Sequence, residues 1–319
     1  MVDPGEHGDP LPTATPTAVP GSASVRIRAA LERPARPARV LGVFPAAIYL
    51  ADPDGTVLAL CTHDAVRLPN ALVLAARTAA SPFPALAGRT DARIGDGGVC
   101  LGALGVTAVR WWTPPRPPAP GDPDTRRAGR AALRAALAPG RTGLSDRART
   151  DLADLGRYAA TDPERAGAAA LRLVGLGPGL TPSGDDALCG FLLARRLLDP
   201  EPTGARHADA LGARVAAHAP GRTTDLSAAL LGHAARGDGC AQLVDLIGAV
   251  GRGTDVLPRL HHLLTVGHTS GADLAHGVLA GAEAADAGAV PAVAAAPFGL
   301  GDGTELPYPE GRSAREQRA

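Results

Sequence analysis

Two glycine-rich segments concentrate the side chains with which this chain can do chemistry. The first runs Leu176-Gly177-Pro178-Gly179-Leu180-Thr181-Pro182-Ser183-Gly184-Asp185-Asp186 and leads into the apolar stretch Ala187-Leu188-Cys189-Gly190. Its glycines let the backbone turn N–H groups toward a ligand, and a helix start adds partial positive charge. Thr181 and Ser183 offer hydroxyls to phosphate or carboxylate oxygens, while Asp185 or Asp186 can act as a base or hold Mg²⁺. The second segment, Gly267-His268-Thr269-Ser270-Gly271-Ala272-Asp273, echoes it. Aligned on serine, both read S-G-x-D-x-x-x-G: Ser183, Gly184, Asp186 and Gly190 against Ser270, Gly271, Asp273 and Gly277. A third, Gly221-Arg222-Thr223-Thr224-Asp225, pairs an arginine fork with two hydroxyls, a set suited to phosphate or carboxylate.

A plainer reading competes with each. S-x-x-D before an apolar run is a helix capping box, and Arg222 beside Thr224 fits a solvated arginine next to an ordinary cap. Capping explains neither Asp185 nor the preceding Gly-Pro-Gly. Nor does it call for Gly190 and Gly277 inside helices, where each costs up to about 1 kcal/mol relative to alanine. A glycine four residues after an aspartate lies on the same helix face, so another backbone can approach there. Two such helices packed through their glycines would bring both loops, and Asp186 with Asp273, to one cleft.

The elements that must position these loops follow from pattern and composition. A chain of 319 residues is long enough for about two domains. Residues 1–33 and 297–319 read as tails, rich in Pro, Gly and polar residues. Residues 34–113 read as a small β-rich domain, with strands at Val40–Phe44, Ala47–Leu50, Thr56–Cys61, Gly97–Leu101 and Val106–Trp112, and a helix near Leu72–Ala80. Residues 114–125 form a proline-rich linker, and 126–296 a helical domain. The helices expected there are 126–138, 145–159, 163–173, 185–198, 205–218, 225–236, 240–249, 255–265 and 271–286. The fold class expected is α+β, the β-rich part first and the mainly α-helical part second.

Composition narrows the chemistry. The sequence has no lysine, which excludes Schiff-base, pyridoxal-lysine and Walker-lysine chemistry. Net charge is zero, so no nucleic acid or anionic membrane is expected as partner, and no apolar run is long enough to span a bilayer. Cys61, Cys100, Cys189 and Cys240 are scattered, and no secretory signal precedes them; a soluble cytoplasmic protein with reduced thiols is expected. His261, His262, His268 and His276 make no metal spacing, so neither metal nor cofactor is expected. Trp111 and Trp112 read as packing residues, as does Cys189. No G-x-S-x-G elbow supports a serine hydrolase.

Gly175 to Asp186 and Gly267 to Asp273 together resemble the signatures of a bacterial family that includes the AllH-type subunit of oxamate carbamoyltransferase, from allantoin catabolism. The resemblance extends from about Arg39 to Ala285, loosely over the β part. It implies a cytoplasmic subunit working with two other proteins. Together they would move a carbamoyl group between carbamoyl phosphate and a small carboxylate amide, oxamate giving oxalurate. The S-T-R-T-R and H-P-x-Q motifs of ordinary carbamoyltransferases are absent. Asp186, Asp273 and His268 are the expected acid–base groups. Gly177, Gly179, Thr181, Ser183, Gly184, Asp185, Arg222, Thr223, Thr224, Thr269, Ser270 and Gly271 are the expected substrate- and phosphate-binding residues. The same loops suit two other classes: a non-catalytic anion- or effector-binding scaffold subunit, and a small-molecule phosphotransferase.

Overall fold

The expected α+β class, a small β-rich domain before a mainly helical one, is corrected by the β part, which closes on itself as a barrel. In the computed structural model, which describes residues 17–137, 142–199 and 202–287, eight strands form a closed barrel. They are β1 (Thr17–Ser24), β2 (Arg36–Val43), β3 (Ala47–Ala51), β4 (Val57–Cys61), β5 (Ala71–Leu74), β6 (Ala92–Gly95), β7 (Gly98–Leu101) and β8 (Leu104–Trp112). Their order round the barrel is β1-β5-β4-β3-β2-β6-β7-β8, with β8 returning to β1. The β1/β8 and β4/β5 pairs are parallel and the others antiparallel.

Two further expectations change here. Residues 17–33 are not tail: they supply β1 and the short helix α1 (Arg28–Glu32). The closing strand hides because Thr17-Ala18-Val19-Pro20-Gly21-Ser22-Ala23-Ser24 has the composition of a loop. Its small residues fit a tight barrel, since a Cβ on Gly21 would press on Leu72 and Val106 from 2.9 Å. The segment read as a helix near Leu72–Ala80 is β5 followed by a 3₁₀ turn over Thr78–Ala80. A short apolar run does not distinguish strand from helix by period alone. The expected tails over residues 1–16 and 297–319 lie outside the described residues.

Closure through β1 predicts the effect of a truncation. A chain beginning at Val25 loses both the β5 and the β8 pairing of β1 and leaves the edges of β5 and β8 unpaired. Such a chain should aggregate and lose its cooperative thermal transition, as read by size-exclusion chromatography and far-ultraviolet circular dichroism. A monomeric chain with unchanged melting would contradict the closure.

Ile48, Leu50, Leu58, Leu60, Leu72, Ile94 and Leu101 fill the barrel. All five residues of β4 and all four of β5 are buried, because their outer face is covered too. Part of the cover comes from the helical region, where Leu226 packs on Ala51 and Val57. The described residues fall in one compact unit.

After β8, Thr113–Asp122 run without regular structure to α2 (Pro123–Ala136). The prolines lie on the helical core, with Pro117 and Pro120 against Gly248 and Gly251, and Gly121 N–H donates to the Gly251 carbonyl at 2.9 Å. The remaining helices are α3 (Asp146–Tyr158), α4 (Pro163–Leu173), α5 (Ser183–Leu198), α6 (Pro202–His218), α7 (Asp225–Ala235), α8 (Ala241–Arg252), α9 (Val256–Leu263) and α10 (Ser270–Ala287). Trp111 and Trp112 stack under Arg28 and Arg67, the guanidinium carbons 4.3 and 5.4 Å from the ring centroids.

Candidate functional site

The two S-G-x-D-x-x-x-G segments open α5 and α10, and these helices pack through the glycines their spacing singles out. A Cβ on Gly190 would fall on the Leu274 carbonyl oxygen, and one on Gly277 would fall on that of Ala187. Gly281, one turn further, sits against the Phe191 backbone in the same way. This backbone-to-backbone approach draws the N-termini of both helices together, and Thr181 Oγ1 meets Ser270 Oγ at 3.2 Å.

At α5 the capping box does not form as the S-x-x-D pattern suggests. Pro182, not Ser183, is the N-cap of α5, and no side chain caps it. Asp185 and Asp273 instead turn to partners outside their own helix starts. Asp185, fully buried, accepts from Gly175 N–H at 2.8 Å, from Ser227 Oγ at 2.7 Å and from Thr223 Oγ1. Burial raises its pKa, and those three donors oppose the rise. Asp273, also fully buried, accepts from Thr142 Oγ1 at 2.6 Å and Gly143 N–H at 2.9 Å, while its Oδ2 has no hydrogen-bond partner. Thr142 and Gly143 lie far from both motifs in sequence, and nothing in the local pattern marks them. Gly143 has no room for a side chain, because a Cβ there would strike Ser183 Oγ and crowd Thr269 Oγ1 and Asp273 Oδ2.

Asp186 is the carboxylate that faces a cavity. It is 6% exposed, its Oδ2 lacks a hydrogen-bond partner, and it lines a cleft of about 440 Å³ together with Thr181 and Ser270. Burial pushes its pKa from the ordinary 3.8 to about 7. The charges of Asp273 and Asp185 add to that rise, and the hydroxyls of Ser270 and Thr181 oppose it. A carboxyl poised near neutrality can take or give a proton at working pH. The cleft lies between barrel and helices: Phe44 and Tyr49 come from the barrel, Leu226 and Leu230 from α7, and Leu243 from α8. Asp64 and Asp238 also line it, whereas no arginine or histidine does among the described residues. Asp238 is held by Arg26 and Arg116 from the barrel side and the linker, at 2.8 and 3.1 Å.

The other expected site residues fall outside the cleft. Asp273 stands behind Asp186, without surface of its own there. His268 and Arg222 are exposed, and neither lines the cleft, although Gly267 does. The Arg222-Thr223-Thr224 turn holds the first loop: Thr223 bonds Asp185, and Thr224 Oγ1 donates to the Leu180 carbonyl at 2.5 Å and accepts from Ser227 N–H. Gly177 and Gly179 have φ of +124° and +95°, the left-handed backbone that favours glycine. Gly184 and Gly271 are seated against the Leu173 and Leu263 carbonyls. Cys189 lines the cleft, and burial pushes its thiol well above its ordinary pKa, away from the thiolate form that a nucleophile needs. Among the described residues no group of three or more His, Cys, Asp or Glu side chains is placed to hold a metal ion, and no helix is long and apolar enough to cross a membrane.

Comparison with known families bears on the same residues. Residues 173–282, from the end of α4 into α10, match the family described as oxamate carbamoyltransferase subunit AllH. The chain carries an AllH-type region. It spans about a third of the sequence and contains both glycine loops, Asp185, Asp186, Asp273 and the Arg222–Thr224 turn. The family name designates one subunit of a multi-subunit enzyme. No curated protein and no solved structure matches the chain.

Proposed function

We propose that this chain is a subunit of a carbamoyl-transferring complex and that its cleft receives the acceptor amide. The observation that carries this reading is Asp186: a buried carboxyl near neutral pKa, one oxygen unpartnered, at the floor of the cleft in the AllH-type region. The acceptor's amide nitrogen attacks the carbamoyl carbon of carbamoyl phosphate, and the carbon–oxygen bond to phosphate breaks. Phosphate leaves with the electron pair, and the proton lost by the nitrogen passes to Asp186. Thr181 and Ser270 orient the carboxyl and the amide. Asp185 and Asp273 are positioning residues that fix the two helix starts.

The lining of the cleft also supports the subunit reading. Carbamoyl phosphate is a dianion, and the cleft presents carboxylates without an arginine among its described lining residues. The cations that bind the phosphoryl group must then come from outside it. A partner subunit docked over the cleft supplies them in this scheme. Isolation of the native complex through a tag on this chain, followed by assay for phosphate-dependent cleavage of oxalurate, tests the assignment. Activity that co-purifies with the chain and partner proteins is expected. A chain that purifies alone, with no carbamoyl transfer in the lysate fraction it came from, would overturn it.

A further inference from the structure

The cleft is larger and more apolar than its proposed chemistry needs. At about 440 Å³ it falls within the range of roughly 300–1,000 Å³ that encloses drug-sized ligands. Oxamate, a small and wholly polar ion, fills a minor part of that space and has nothing to offer its walls. Those walls are Phe44 and Tyr49, set edge to face with centroids 5.8 Å apart, together with Leu230, Leu243 and Val266. Polar groups of the α5 and α10 starts gather at one end, where Asp186, Thr181 and Ser270 meet. Such a cavity has a hydrogen-bonding floor for one head group and a mainly apolar body beyond it, in which Asp64 and Asp238 are the other charged lining residues.

We propose that the acceptor bound by this chain is a primary amide carrying an apolar substituent, its amide on Asp186, Thr181 and Ser270 and its apolar body against Phe44, Tyr49, Leu230 and Leu243. The inference rests on the reading of the cleft as the acceptor site and extends it from oxamate to a bulkier class. Each methylene that enters the cleft leaves water for the apolar walls and tightens binding about fourfold. The absence of a lining cation among the described residues agrees with a neutral head group.

Calorimetric titration of the full chain with oxamate, butanamide, hexanamide and octanamide tests this. Affinity should rise by about fourfold per methylene until the cavity is full, with oxamate weakest. Ala65, half-buried at the barrel side of the cleft, provides a filling variant. Ala65→Trp should weaken octanamide at least tenfold more than butanamide. Leu230→Asn, which changes the wall without filling it, should flatten the series while circular dichroism shows the fold retained. Binding of oxamate and butanamide with no tightening along the series overturns the inference and leaves the cleft as a site for small acceptors. Failure of every probe to bind overturns the inference and the acceptor-site reading together.

Discussion

Asp186→Asn should lower carbamoyl transfer by about 10²–10⁴-fold, the range for loss of a positioned acid–base group, without lowering the melting temperature at pH 8. The second half of this result separates catalysis from capping. Asparagine keeps the shape and the contacts with Ser270 and Thr181 but can no longer take a proton. The stability effect has a definite sign. The folded chain holds Asp186 near 7, against an ordinary 3.8, so between those values it binds more protons than the unfolded chain. Stability from this group is therefore lost as pH rises, and above 7 its ionised form is a full burden on the fold. Removing the charge at pH 8 should leave the melting temperature unchanged or raised. A residue that merely capped α5 would instead cost roughly 0.5–2 kcal/mol on substitution. Full activity with a lowered melting temperature would return Asp186 to a structural role.

Gly277→Ala should destabilise the whole helical region. The added methyl would meet the Ala187 carbonyl, a backbone atom that cannot swing aside, so α5 and α10 must separate. Overpacking of a core costs typically 1–3 kcal/mol, and a clash with backbone belongs at or beyond the top of that range. For a chain of this size each kcal/mol moves the midpoint by about 1.5–2 °C, so a fall of roughly 5 °C or more is expected by calorimetry. Gly190→Ala, which would strike the Leu274 carbonyl, should match it. Because the same packing sets Thr181 against Ser270, both variants should also lose activity at temperatures where they remain folded. Melting within a degree of the parent would show that the glycines are not the seam.

What the sequence showed and what it hid follow from where the deciding contacts lie. Gly190 and Gly277 were readable because a glycine inside a helix costs stability and calls for a reason, and the repeated spacing supplied one. The nine helices from α2 to α10 announce themselves by period and by their Gly and Pro boundaries. The barrel did not. Its closing strand joins residues near 20 to residues near 107, and small residues with a proline carry no strand pattern of their own. The site was half legible. Asp185, Asp186 and Asp273 stand together, but only the fold reveals which carboxylate faces the cleft and which ones hold loops. Thr142, Gly143 and Ser227 do their work through contacts more than 40 residues distant in the chain. Arg222 looked like an anion ligand because of its neighbours, yet those neighbours bond Asp185 and Leu180 while the arginine itself is exposed.

The most direct test is the pH dependence of kcat/KM for oxamate carbamoylation by the reconstituted complex, measured for the parent and for Asp186→Asn. The groups facing Asp186 are Asp185, Asp273, Thr181, Ser270 and Cys189, and burial pushes the Cys189 thiol well above its ordinary value. With Asp186 as the proton acceptor, activity rises with pH along a limb centred near 7, and the residual activity of Asp186→Asn lacks that limb. The same limb in both proteins, at comparable rates, would contradict the assignment of Asp186 as the proton acceptor in the cleft.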